Sequence, residues 1–288
     1  MARKPATRKK IFRPRGKMPG LSPGSLVYTG DRISLAPRVT LLDYDEHRVV
    51  EKELLRVDDC IPFKDAQTVT WINVDNVTEP GLLENFGRVM GFHNLMLEDI
   101  LNTDQRPKFE DYGNYIYIVV KMLDYDANKS GIEIEQLSLI IGPNYLISFQ
   151  ERAGDFFDPL RERIRKSLGR VRKLGTDYLA YAMLDIIVDH YFVVLEKLGE
   201  KIEQLEEIVV TKPGQNTVSA VHAIKREMIF VRKSVWPLRE VATSLQRSES
   251  ALIRESNAAY FRDLHDHIMQ VTDGVRSEER RVGKECCR

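Results

Sequence analysis

The chain has 288 residues, 43% hydrophobic and 30% charged, with 43 basic and 43 acidic side chains in balance. That composition excludes a low-complexity chain and gives enough length to bury a substantial core in one or two domains. Zero formal charge leaves no global field to recruit nucleic acid, and no run approaches the ~20 apolar residues of a membrane span.

Residues 1 to 20 carry only basic charges, from Arg3 and Lys4 to Arg15 and Lys17, together with three prolines. This is read as a disordered tail, with a membrane-surface or nucleic-acid tether as the alternative. Leu26-Val27-Tyr28 is a first strand candidate. Val39 to Tyr44 and Arg48 to Leu55 flank an Asp45-Glu46-His47 turn and predict a hairpin, and Val69 to Val74 predicts another strand. Pro80 to Met90 spaces Leu82, Leu83, Phe86 and Val89 as an amphipathic helix. From His93 a second short helix carries Glu98 and Asp99 side by side, and Arg106-Pro107 is expected to stop it. Neighbouring helical residues diverge by roughly 100°, so these two carboxylates face different partners. Tyr115 to Met122, Ile132 to Ile141 and Tyr145 to Gln150 are strands rich in β-branched and aromatic residues. The interleaving, without strict βαβ alternation, predicts an α+β fold over 21–170, a mixed sheet flanked by helices.

Beyond it the pattern turns helical over 171–275. Asp158-Pro159 opens a short helix expected to reach about Leu168. Thr176 or Asp177 is expected to cap a long one reaching Val210. Its stripe Leu184, Ile187, Tyr191, Val194, Leu198, Ile202, Leu205 and Val209 steps by three and four. After Lys212-Pro213-Gly214 a second stripe runs from Val218 to Leu245, with Pro237 expected to kink it. Together they predict an antiparallel helical hairpin. A last helix from about Ser256 to Asp273 shows no stop signal. The final RSEERRVGKECCR, over 276–288, is expected to abandon the helical pattern as a foreign, expression-derived tail.

The segment LEDILNTDQRPKFEDYGNYIYIVVKM resembles the one that marks the CorA family of divalent-cation transporters. The likeness continues in order through Thr70-Trp71-Ile72-Asn73, Phe149-Gln150-Glu151, Phe157-Asp158-Pro159, Trp236-Pro237-Leu238-Arg239-Glu240 and Tyr260-Phe261-Arg262-Asp263. The resemblance implies the cytosolic, ion-sensing part of a homopentameric Mg2+/Co2+ transport channel in the cell membrane. The last helix would then lead into the pore. The family's membrane helices and Gly-Met-Asn signature are absent from these residues. A Zn2+ transporter of the same superfamily and a soluble helical interaction module are the alternatives, and no nucleic-acid partner is implied.

By the same resemblance Glu98, Asp99, Asp185 and Asp263 bind regulatory divalent ions, Mg2+ or Co2+, at subunit contacts. Glu98, Asp185 and Asp263 would share one site, while Asp99 would pair with an acid beyond this chain. From the residues alone, Asp185 sits beside the stripe Tyr178, Tyr181, Val188, Phe192 and Leu195. An arginine salt bridge is its ordinary explanation, because a carboxylate among apolar residues is costly unpaired. His190, His222, His265 and His267 offer no HExxH pair, which argues against zinc. His93 is expected to cap or fill a core, and Cys60 to be a buried small residue. Cys60 and the vicinal Cys286-Cys287 make neither a disulfide framework nor a zinc spacing, which fits a reducing compartment. No catalytic constellation is present, so no enzyme activity is expected.

Overall fold

The computed structural model describes residues 20–30, 35–126, 131–211 and 215–285. The basic residues up to 19, the Lys212-Pro213-Gly214 turn and the Cys286-Cys287 pair lie outside the described residues. Among the described residues one sheet forms from β1 (Arg38–Tyr44), β2 (Val49–Leu54), β3 (Val69–Asp75), β4 (Lys108–Asp111), β5 (Ile116–Asp126), β6 (Gly131–Ile141) and β7 (Tyr145–Gln150). Their order across the sheet is β2-β1-β3-β7-β6-β5-β4. β3 and β7 run parallel, with Ile72 opposite Ile147, and every other neighbour is antiparallel. The expected mixed sheet and the β1–β2 hairpin are present.

Helices cover both faces, which is why the central strands read as continuous apolar runs. α1 (Ile61–Lys64), α2 (Pro80–Met90) and α3 (Asn94–Leu101) lie on one side, where Leu83, Phe86, Met96 and Leu97 pack on Ile72, Tyr117 and Ile147. On the other side Ile116, Ile118 and Val120 meet α4 (Asp158–Arg165) and α5 (Thr176–Thr211). The chain continues through α6 (Gln215–Val235), α7 (Leu238–Gln246) and α8 (Ala258–Glu285). The hydrophobic core on this side runs unbroken from the sheet into the helices, across residue 170.

Several expectations change. Leu26-Val27-Tyr28 is not a strand, although Thr29 N–H bonds the Leu101 carbonyl at 3.1 Å. α3 ends at Leu101, five residues before Arg106, so the proline is not what stops it. α4 ends at Arg165 rather than Leu168. Thr176 and Asp177 use their side chains for tertiary bonds, Thr176 donating to the Gly142 carbonyl at 2.8 Å. Pro237 does more than kink the second helix. It splits it into α6 and α7, and the exposed Trp236 between them carries the guanidinium groups of Arg276 and Arg239 on its ring, at 4.7 and 5.7 Å.

The helical pattern does not stop at Val275. α8 continues to Glu285, burying Val275 and Val282 seven residues apart. The expected two-helix hairpin is therefore a three-helix bundle, in which α8 covers more of α5 than α6 does. Val218, at the start of the second stripe, is exposed. α5 is long and apolar enough, by length and composition, to cross a membrane. Here its apolar stripe is buried against the sheet and α8, which explains that composition without a bilayer.

Glu135 on β6 is half-buried and accepts the Arg152 N–H at 2.8 Å. Burial, reinforced by Glu151, pushes its carboxyl up to about 7 from an ordinary 4.5. Between those values the folded chain keeps a proton that the unfolded chain has released, so stability falls as pH rises through that window. Glu135→Gln is expected to flatten that slope and to raise stability at pH 8 by about 1–2 kcal/mol. Urea melts at pH 5 and pH 8 check it; an unchanged slope refutes the assignment.

Candidate metal centre

Two polar anchors, one buried and one at the surface, set the register between α5 and α8. Asp177, 1% exposed at the start of α5, accepts the Arg254 N–H at 2.9 Å and the Asn257 side-chain amide at 2.8 Å. A Cβ at Gly175 would lie 2.7 Å from the Arg254 guanidinium, so a larger residue there makes that side chain move. At the far end Arg281 reaches Glu206 at 3.1 Å. The two helices therefore run in parallel. Tyr178 and Tyr181 pack on Tyr260 with ring centroids 4.9 and 5.1 Å apart, sealing the first turns.

One to two turns further on, Asp185 of α5 meets Asp263 and His267 of α8, with one ligand atom from each lying within 4.8 Å of the others. His267 Nδ1 is 3.6 Å from Asp185 and Nε2 is 3.9 Å from Asp263. The Asp185 and His267 side chains are about one-third exposed, and Asp263 faces solvent. Among the described residues no lysine or arginine pairs with either acid, so the arginine salt bridge expected for Asp185 is absent. Burial first, then the charges of Asp189 and Asp263, push the Asp185 carboxyl above its ordinary value, and His267 pulls it back. His267 Nδ1 is buried and, at 3.6 Å from Asp185, stands just beyond hydrogen-bond distance. Two carboxylates and an imidazole, open on one side to water, fit a divalent cation that keeps part of its hydration shell.

The other two predicted ligands are elsewhere. Glu98 and Asp99 sit on α3, across the sheet from α5. Glu98 accepts the Gly24 N–H. Asp99 receives the Gln105 amide on Oδ1 and the Lys108 ammonium on Oδ2 at 2.6 Å. The two carboxylates do take separate partners, as their divergence on the helix predicted. Within one chain the structure brings together Asp185 and Asp263 but neither acid of α3.

His267 was set aside in the sequence because no second histidine stands at metal spacing. The usable signal was its position four residues after Asp263, on the same face of α8. His93 acts as the N-cap of α3, its Nδ1 accepting the Leu95 N–H at 3.3 Å. Cys60 is fully buried, and burial pushes its thiol up to about 12, so it is no nucleophile.

Residues 66–284 match the family model described as CorA-like Mg2+ transporter protein. The cobalt/magnesium transport protein CorA of Thermotoga maritima is 44% identical over 256 residues, which cover 89% of this chain and 73% of that protein. The soluble domain of CorA from Methanocaldococcus jannaschii superposes with a TM-score of 0.71 at 18% identity, over 88% of this chain and 96% of that one. The cytoplasmic domain of ZntB from Vibrio parahaemolyticus gives 0.68 at 12% identity, over 87% and 96%. At those identities the structural likeness speaks for the fold alone.

Proposed function

The chain belongs to the CorA-like Mg2+ transporter family, and on that premise we propose that it is the cytoplasmic ion-sensing part of a membrane channel carrying Mg2+ or Co2+. The observation that carries this reading is the Asp185–Asp263–His267 cluster, a concentration of negative charge with no lysine or arginine paired to it among the described residues. Such a cluster is destabilised when empty and relieved by a divalent ion.

Glu98 and Asp99 lie on the opposite face of the sheet from α5. A site that joins Glu98 to Asp185 and Asp263 is therefore made between neighbouring copies, and a homopentamer is the assembly proposed. An ion that binds the closed arrangement better than the open one shifts the population toward closed. When the cytoplasmic ion falls, the carboxylates repel and the copies part. The pore is supplied by membrane helices outside these residues. No reaction is assigned to the chain. The histidine in the donor set keeps a Zn2+ or Co2+ preference within the same reading, since imidazole suits later divalent metals better than Mg2+.

Calorimetric titration of this chain with Mg2+, alongside light-scattering mass, tests the reading. The chain is expected to bind Mg2+ and to grow in mass with it. Asp185→Ala combined with Asp263→Ala is expected to lose at least ~10-fold in affinity and the mass increase with it. Unchanged Mg2+ binding in that double variant overturns the site.

A further inference from the structure

Asp99 is not an open ligand. Its Oδ1 is taken by the Gln105 amide and its Oδ2 by Lys108 Nζ, 2.6 Å away. The same ammonium lies 2.7 Å from Glu110 Oε1, with the Tyr117 ring 5.2 Å beneath it. Glu110 is held in turn by the Tyr112 hydroxyl at 2.9 Å. Lys108 and Asp99 are both mostly shielded, with side chains 24% and 19% exposed.

We propose that Lys108 is a tethered cation standing in the position of a divalent ion between Asp99 and Glu110, and that it sets the divalent concentration at which Asp99 becomes available. This rests on the reading of Asp99 as an ion ligand. The backbone fixes the tether: Lys108 and Glu110 share one face of the short edge strand β4, and Asp99 lies in the last turn of α3 within reach of it. The arrangement is reversible by construction. An ion arriving at Asp99 displaces the ammonium from one carboxylate only, and Lys108 keeps Glu110 as its partner. The trio holds one net negative charge with lysine in place. Without it, two carboxylates face each other with nothing between.

Lys108→Met is therefore expected to create or strengthen one divalent site. Titrating the 288-residue chain with Mn2+, and reading free Mn2+ by electron paramagnetic resonance, is expected to show one additional ion bound, or a half-saturation lowered about tenfold at one site. Lys108→Gln, which preserves more of the polarity, is the second variant should methionine fail to fold. The gain is expected to disappear when Asp99→Asn is added. A gain that survives Asp99→Asn overturns the proposal, and so does the absence of any gain in both lysine variants. In the latter case Asp99→Asn alone separates the two readings. Loss of an ion there keeps Asp99 as a ligand and removes only the tethered-cation role. No loss removes both.

Discussion

His267→Gln is expected to lower the affinity of the chain for Co2+ by about 100-fold while changing Mg2+ affinity by no more than a few-fold. The imidazole nitrogen is the only donor in the cluster that favours a late divalent metal over a hard one. Mg2+ takes its strength from the two carboxylates and its retained waters, and glutamine replaces nitrogen with an amide oxygen of similar reach. The variant also removes the imidazole that lies 3.6 Å from Asp185, so urea melts of the apo chain accompany the titrations. Competitive calorimetry with the two ions gives the ratio directly. Parallel loss of both affinities would show that His267 only positions Asp185, and no loss of either would remove it from the site. The acid side carries a sign of its own. Because the Asp185 carboxyl is raised above its ordinary value, protons compete with the metal from a higher pH than at an ordinary aspartate. Affinity for both ions is expected to weaken as pH falls toward that raised value.

The parts of this molecule most legible in the sequence are those where one local signal decides the outcome. Pro80 to Met90 is a helix with those bounds because proline suits its first turn and Gly91, at a φ of +80°, closes it. The strand runs from Val69, Ile132 and Tyr145 were visible because both faces of the sheet are covered and β-branched residues fill them. Glu98 and Asp99 could be separated by helical geometry alone. What failed depended on contacts distant in sequence. β4 is only four residues long, Lys-Phe-Glu-Asp with a single apolar side chain, so nothing local marks it as a strand. α3 ends where residue 29 reaches it, and no pattern within the helix announces that. The site suffered in the same way. Asp185 and Asp263 were singled out with help from a family resemblance, but the third member was missed. His267 gains its role only from the parallel packing of α5 on α8, fixed by Asp177 and Asn257 some 80 residues apart. The expected end of the helical pattern at Val275 failed for a related reason: Val282 continues the buried seam and Arg281 finds Glu206 across the bundle.

Arg161→Met is expected to destabilise the fold by about 3–5 kcal/mol, a large part of the total for a chain of this size. Arg161 grips Asp155 with both terminal nitrogens, Nη1 on Oδ1 and Nη2 on Oδ2, each at 2.6 Å. Its guanidinium also stacks 4.8 Å above the ring of Trp71. The Asp155 side chain is 4% exposed and accepts two further bonds, from Gln150 at 3.0 Å and the Phe157 N–H at 2.9 Å. Burial alone would raise this carboxyl, but the Arg161 bonds and charge outweigh it and hold Asp155 below its ordinary value. Removing the arginine leaves a buried carboxylate with neutral donors only, and methionine retains most of the packing on Trp71. The loss therefore measures the unpaired charge rather than a cavity. Two readouts separate these causes in urea melts. Asp155→Asn in the same chain is expected to recover at least half of the loss, because the charge is gone. The deficit at pH 7 is also expected to shrink near pH 4, where the orphaned carboxyl takes a proton while the paired one in the parent stays ionised. A deficit that is equal at both pH values and untouched by Asp155→Asn would assign the loss to packing against Trp71. The pair joins the loop after β7 to α4, beside the buried chain in which Trp71 donates to Ser148, and Ser148 and Gln150 donate to Asn73. Breaking it is expected to loosen the parallel β3–β7 junction on which the whole sheet is assembled.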